Sequence, residues 1–317
     1  MRVWITRPLT EAVEARARDA LDVEFRTETT PLDRDELHRA LTEFDIVVPT
    51  LGDQFSAEVF GAVPQPRCRL LANFGVGYNH IDVAAAGASG IAVTNTPGAV
   101  TDATADIALT LLLMTARRAG EGERLVRAGN WQGWHPTQML GHHVTGKRLG
   151  VVGMGRIGQA IAQRCHFGFG MEVSYLARSP KELSFPATQA DDLRGLAASV
   201  DFLVIAVPGG AETTHLINAD VLAAMKPSAL LINIARGEVV DEAALISALQ
   251  AGQIAGAGLD VYEFEPKVPD ALIGMQNVTL LPHLGTATEE VRTAMGHMAL
   301  DNVAACIAGQ DLPNLVS

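Results

Sequence analysis

Positive charge, aromatic rings, cysteine and long apolar runs are all scarce in this chain. Its 317 residues hold 24 Lys and Arg against 36 Asp and Glu, a formal net charge of -12 at pH 7. Such a surface lacks the basic footprint that general nucleic-acid or anionic-membrane binding requires, so neither is expected as a partner. An anionic ligand would have to be met locally, by individual arginines and backbone N–H groups. Three cysteines, Cys68, Cys165 and Cys306, are odd in number and far apart. They make no disulfide framework and no Cys-x-x-Cys metal motif, and they fit a reducing cytosol. His142-His143 has metal-ligand chemistry but no third ligand, so no metal is expected. The start Met1-Arg2-Val3-Trp4-Ile5-Thr6-Arg7 does not read as a signal peptide. The most apolar run, Ile107 to Ala116, contains Thr110 and Thr115 and stops at Arg117-Arg118. It is shorter than the roughly 20 residues a membrane helix needs. A soluble cytoplasmic protein is expected.

What is present is an ordinary globular composition, 48% hydrophobic and 19% charged, which excludes disorder. The length is too great for one comfortable core, so two domains are expected. Short β-rich runs at Val3–Thr6, Val23–Arg26, Ile46–Pro49, Leu70–Asn73 and Ile91–Thr94 alternate with the helix-forming stretches Glu11–Ala20, Asp35–Leu41 and Asp82–Ala88. That alternation predicts an α/β domain with a mostly parallel sheet. Thr96-Pro97-Gly98 then breaks structure, and Thr101 can N-cap a helix reaching about Arg118. Because this helix is apolar nearly all round, it is expected to be buried between domains or subunits. Residues 120–147, with Trp131, Trp134 and His135, lack clear periodicity and read as an extended arm whose two Trp need a cover, a partner subunit being one candidate. From Leu149 six continuous apolar runs follow, at Leu149–Val152, Val173–Leu176, Phe202–Val207, Leu230–Ile234, Gly258–Val261 and Val278–Leu281. Runs of this kind fit strands covered on both faces of a doubly wound dinucleotide domain. The final stretch, Thr288 to Ala308, is helical and lies beyond the sixth strand.

Gly153-Met154-Gly155-Arg156-Ile157-Gly158 is a G-x-G-x-x-G between the strand Leu149–Val152 and a helix opening at Gln159. The motif alone is weak; its strand–turn–helix context makes it a phosphate loop. Gly153 permits the turn, Gly155 lets the backbone approach a pyrophosphate, and Gly158 lets helix and strand pack closely. The pyrophosphate would sit at the positive end of the helix. An acid about 20 residues further on would bind a ribose 2′-OH. Ala177 stands there instead, followed by Arg178, Ser179 and Lys181. A guanidinium can hold a 2′-phosphate that a carboxylate would repel, so NADP(H) is the preferred cofactor, with NAD(H) second.

Three ionisable residues follow the last three strands: Arg236, Glu265 and His283. All therefore lie beyond carboxyl ends of strands, the edge on which the phosphate loop emerges and on which open α/β sheets bind ligands. Reducing a ketone by hydride transfer leaves an alkoxide that needs a proton, which His283 can supply as imidazolium. A carboxylate at Glu265 would favour the charged ring and orient it. Arg236 can hold a substrate carboxylate and polarise the adjacent carbonyl.

The pattern resembles the D-isomer-specific 2-hydroxyacid dehydrogenase family over nearly the whole chain. The matching segments are Asn73-Phe74-Gly75-Val76-Gly77-Tyr78-Asn79-His80-Ile81-Asp82, the Gly153 loop, Asn233-Ile234-Ala235-Arg236-Gly237, Leu259-Asp260-Val261 leading to Glu265-Pro266, and Pro282-His283-Leu284-Gly285. Within the family it is most similar to glyoxylate/hydroxypyruvate reductases, through Trp131-Gln132-Gly133-Trp134-His135-Pro136 and the Ala177-Arg178 strand end. The resemblance implies Arg236, Glu265 and His283 as the catalytic set. It also implies that backbone N–H groups of Val76 and Gly77 hold the substrate carboxylate. Leu51, Gly52, Phe74 and a partner subunit's counterpart of Trp134 would shape the substrate pocket. Beyond the loop residues Gly153, Met154, Gly155, Arg156, Ile157 and Gly158, the implied cofactor contacts are Thr104, Ala177, Arg178, Ser179, Val207, Pro208, Thr213, Ile234, Ala235, Asp260, His283 and Gly285.

The resemblance further implies a nucleotide domain, 99–284 with a dimerisation arm at about 118–147, inserted into a substrate domain of residues 1–98 and 285–317. Both would be doubly wound with parallel sheets, and a homodimer and cleft closure on ligand are expected. The leading expectation is an NADP(H)-dependent reductase of small 2-oxoacids, glyoxylate and hydroxypyruvate first. A nucleotide-sensing binding protein of the corepressor kind is the alternative from another class. A formate dehydrogenase fits less well, since oxidising formate needs no proton donor.

Overall fold

The computed structural model describes residues 1–316 and divides into two compact units, Met1–Val100 with Thr286–Ser317, and Thr101–Gly285. The junctions thus fall after Val100 and after Gly285, against the expected 98 and 284. Gly285 stays with the second unit for a physical reason. Its N–H donates to the Asp260 carboxylate at 2.9 Å, and its carbonyl accepts from the Thr104 hydroxyl at 3.1 Å.

The first unit is a six-stranded sheet of β1 (Arg2–Ile5), β2 (Asp22–Phe25), β3 (Ile46–Val48), β4 (Leu70–Ala72), β5 (Ala92–Thr94) and β13 (Leu315–Val316). Their order is β13-β5-β4-β3-β1-β2. The first five are parallel, in the 2-1-3-4-5 order of a flavodoxin-like sheet. β13 was not apparent from the sequence; it adds antiparallel at the β5 edge, Leu315 opposite Thr94. The helix Glu289–Ile307 is N-capped by the Thr288 hydroxyl and covers one sheet face. There Ala299, Leu300 and Val303 pack with Val3, Ile5, Ile46, Val48 and Leu70.

The second unit is a seven-stranded, wholly parallel sheet. Its strands are β6 (Arg148–Val152), β7 (Glu172–Leu176), β8 (Ala187–Gln189), β9 (Phe202–Ile205), β10 (Leu230–Asn233), β11 (Gly256–Leu259) and β12 (Val278–Leu280). They run in the order β12-β11-β10-β9-β6-β7-β8. The six expected strands are all present, and β8 makes a seventh. Its Ala-Thr-Gln sequence carries no apolar run because it lies at the sheet edge, half exposed. Continuous apolar strands serve two cores here. Phe202 and Val204 of β9 face one core and Leu203 and Ile205 the other, as period-2 alternation demands. Burying each such side chain contributes about 1.5–3 kcal/mol.

Two sequence expectations need correction. The helix over Thr101–Ala116 does have a polar stripe, for Asp102, Asp106 and Thr110 are exposed at four-residue spacing and Arg164 pairs with both acids. The arm is not all extended: Ala119–Arg127 is a helix. None of its residues is buried. Among the described residues no helix is long and apolar enough to cross a membrane.

Candidate active site

The order of the second sheet reverses between β6 and β9, and there the turns after both strands meet. Gly153 has φ +100°, and a Cβ on it would come within 2.7 Å of the Ala206 carbonyl group. Gly158 packs so closely on the Gly153 carbonyl that a Cβ would overlap it. Nothing lies within 4 Å of the Cβ position of Gly155, which N-caps the helix Arg156–Phe169 without a side-chain bond. The helix end therefore offers backbone donors and positive partial charge to an open approach, a fit to a dinucleotide's pyrophosphate. Met154 and Ile157 can serve only through their backbones: Met154 is buried in the core and Ile157 packs against it.

At the end of β7, Ala177 accepts from Gln189 through its carbonyl at 2.9 Å. Arg178 is exposed and forms no hydrogen bond or ion pair among the described residues. Lys181 donates to the Ser179 hydroxyl at 3.2 Å, so two cations flank one exposed hydroxyl. After β9 the Thr213 hydroxyl donates to the Pro208 carbonyl at 2.7 Å, bracing the turn that begins at Val207. The Thr104 hydroxyl proton is committed to Gly285, which limits Thr104 to acting as an acceptor.

The turns after β10, β11 and β12 gather Arg236, Glu265 and His283. His283 Nδ1 lies 2.9 Å from Glu265 Oε2, which leaves Nε2 as the free ring nitrogen. The other carboxylate oxygen, Oε1, accepts the Tyr262 N–H at 3.0 Å, so Glu265 is held at both ends. Desolvation raises the Glu265 carboxyl, but the His283 hydrogen bond and charge, the Tyr262 N–H and the Arg236 charge together outweigh it. The net shift is downward, and Glu265 is an anion at neutral pH. Arg236 is half-buried and donates to the Ala235 carbonyl at 2.7 Å. Burial lowers its guanidinium while Glu238 and Glu265 oppose the shift; it remains a cation.

His283 has φ +54°, a left-handed backbone that is costly outside glycine. Asp260 holds it there. Its backbone carbonyl accepts the His283 N–H at 2.9 Å, and its carboxylate accepts the N–H groups of Leu284 and Gly285 at 2.7 and 2.9 Å. Asp260, 1% exposed, is thus committed to the His283 turn, and burial raises its carboxyl against those bonds and the charge of His283. The buried Asn233 fixes the Arg236 turn in the same manner, accepting from the Ala235 N–H and donating to the Arg236 carbonyl, each at 3.0 Å. Gly237 is obligatory, since a Cβ there would overlap the Tyr262 carbonyl. The bracing roles of Asn233 and Tyr262 were missed from the sequence. For Asn233 the signal was a polar side chain closing a fully apolar strand, which is costly unless bonded; Tyr262 acts on Glu265 through its backbone N–H and leaves no such mark.

The first unit carries its own set at the carboxyl ends of β3 and β4. Leu51 is exposed, and Gly52 has φ +101°. Asp53, fully buried, accepts from Arg7, the Thr6 hydroxyl and the N–H groups of Leu32 and Thr50, and so pins this turn. In the next turn Asn73 donates to the carbonyls of Gly75 and Gly77, and Asn95 to that of Val76. Carbonyls are thereby tied back, while no bond among the described residues uses the N–H groups of Val76 and Gly77. Two such donors side by side suit a carboxylate.

Residues 109–285 match the family model of the D-isomer specific 2-hydroxyacid dehydrogenase NAD binding domain. The chain is 44% identical over 322 residues to a glyoxylate reductase of Thermococcus kodakarensis, covering 100% of this chain and 96% of that protein. The chain belongs to the D-isomer specific 2-hydroxyacid dehydrogenase family. A glycerate dehydrogenase of Hyphomicrobium methylovorum is 37% identical, covering 98% of this chain and 97% of its own. Among solved structures, an NADPH-dependent glyoxylate/hydroxypyruvate reductase from Sinorhizobium meliloti, in complex with NADP and malonate, superposes with a TM-score of 0.88 at 37% identity. That match covers 100% of this chain and 96% of the other. The protein is therefore a 2-hydroxyacid dehydrogenase with a nicotinamide-cofactor domain in its second unit, and two doubly wound domains are the family's architecture.

Proposed function

We propose that this dehydrogenase reduces small 2-oxoacids, glyoxylate and hydroxypyruvate foremost, to 2-hydroxyacids, with NADP(H) preferred over NAD(H). The observation that carries the reading is the His283–Glu265 pair standing with Arg236 on the sheet edge that also bears the Gly153 loop. The named relatives that act on glyoxylate, hydroxypyruvate or glycerate support the substrate class.

The nicotinamide, when bound, supplies the hydride. Arg236 holds the substrate carboxylate, and the guanidinium draws charge toward the carbonyl oxygen. His283 Nε2 gives its proton to that oxygen, and the Glu265 anion keeps Nδ1 protonated and the ring in place. In the reverse direction the neutral ring takes the hydroxyl proton. Arg178, with Ser179 and Lys181 beside it, meets the 2′-phosphate. Trp134 is 79% exposed and Trp131 53%, and the arm helix buries nothing. A second copy of the chain supplies the cover, with Trp134 reaching the partner's substrate.

Steady-state kcat/KM for NADPH and NADH with glyoxylate tests the cofactor choice. NADPH is expected to be favoured, and Arg178→Ala to cost NADPH about 10-fold or more while sparing NADH. A wild-type preference for NADH overturns the cofactor assignment; no turnover of any small 2-oxoacid overturns the function.

A further inference from the structure

A second histidine–carboxylate pair lies beside the first. His215 Nε2 is 2.8 Å from Glu263 Oε1, two residues before Glu265. The backbone N–H of His215 donates to the Glu238 carbonyl at 2.7 Å, two residues after Arg236. His215 also has a left-handed backbone, φ +51°, which no glycine relieves. One residue thus spans the two turns, with its main chain on the Arg236 turn and its ring on the Glu265 turn. Those turns already touch, since Gly237 packs on the Tyr262–Glu263 backbone. The lattice extends in both directions: Ile217 donates to the Val239 carbonyl at 3.0 Å, and Glu263 N–H to Glu242 Oε1 at 3.3 Å.

We propose that His215 is a positioning residue, a clamp that keeps the Arg236 guanidinium and the Glu265 carboxylate in register for the 2-oxoacid. The inference rests on the roles given above to Arg236 and Glu265. The left-handed backbone turns the His215 main chain toward the Glu238 carbonyl while its ring reaches Glu263. The ring is 43% exposed, so its burial contributes little, whereas its bond to Glu263 joins two segments that carry chemistry.

The clamp is also sensitive to pH. The groups facing the ring are Glu263 by hydrogen bond and Asp241 through space, with Glu242 behind Glu263 and Glu238 at the main chain. The Glu263 hydrogen bond raises the imidazole above its ordinary value. Below that raised value the link is an ion pair; as pH climbs through it the charge is lost and the clamp weakens.

The test compares wild type with His215→Gly, His215→Gln, Glu263→Gln and His215→Gly/Glu263→Gln. Each is assayed for glyoxylate KM and kcat against pH, NADPH affinity, melting temperature and amide exchange. Glycine accepts the left-handed backbone, so fold and NADPH affinity are expected to survive. The KM for glyoxylate is expected to rise about 10-fold at low pH, with a smaller fall in kcat. The wild-type rise of KM with pH should flatten in both His215 variants. Faster exchange is expected at 236–239 and at 262–265, and the double variant should be no worse than the worse single. Unchanged KM and pH profile in a stable His215→Gly protein, or strictly additive effects, overturn the clamp. If His215→Gly does not fold, His215→Gln carries the same comparison. Amide exchange needs no substrate, so absent glyoxylate turnover by wild type counts against the proposed function and leaves the clamp to be judged on exchange.

Discussion

His283 Nδ1 lies 2.9 Å from the Glu265 carboxylate, which leaves Nε2 as the nitrogen that can hand a proton to substrate. That carboxylate stays ionised well below neutrality, since its shift is downward. Glu265 therefore remains an anionic acceptor for the ring at neutral pH. His283→Ala is expected to lose about 10²–10⁴-fold in kcat, the usual worth of a positioned general acid, with NADPH affinity unchanged. Stopped-flow hydride transfer and cofactor titration would measure both. A loss of only a few-fold would remove His283 from the chemistry.

The same accounting applies to a residue with no part in catalysis. Asp45 accepts from Arg67 Nε and Nη2, each at 2.9 Å, and from the Arg2 N–H at 2.6 Å, tying the start of β1 to the approach to β4. The Arg67 hydrogen bonds are the main cause, against opposing desolvation, of a carboxyl held down at about 2. A depressed carboxylate adds stability above its unfolded value, near 4, and that stability is lost as pH falls toward 2. Asp45→Asn is expected to melt lower at pH 7 and to lose less stability than wild type between pH 4 and pH 2. Parallel melting curves for the two proteins across that range would contradict it.

At the scale of elements, what the sequence disclosed follows burial. β9 and β10 are apolar at almost every position because both faces are covered, and such runs cannot be mistaken. β8 and β13 are edge strands of two or three residues, one polar and the other held by a pairing partner far away in the chain. The helix Ala119–Arg127 packs on too little of its own chain to show a buried face. At the site, Arg236, Glu265 and His283 were legible because each follows the carboxyl end of a strand. Their supports were harder to see. Asn233 and Asp260 work by hydrogen bonds to backbone two or more residues away, and His215 and Glu263 stand 48 positions apart.

For the molecule as a whole, the exposed Trp131 and Trp134 and the bare arm helix leave apolar surface without cover from its own chain. Light scattering on the eluted protein is expected to give about twice the 33.6 kDa chain mass. A monomer at micromolar concentration would leave Trp134 without the role proposed for it.

The first unit is assembled from two stretches separated by the 185 residues of the other, from Thr101 to Gly285. Synthesis runs from one end of the chain, and contacts of such sequence separation close late. On the ribosome the second unit, being continuous, can complete its sheet as soon as it emerges. The face of β1, β3 and β4 that Leu300 and Val303 will cover must wait for them, bare to any other growing chain. Between the emergence of Ala72 and that of Ile307 the nascent protein thus carries an uncovered apolar sheet face, for a time set by translation speed.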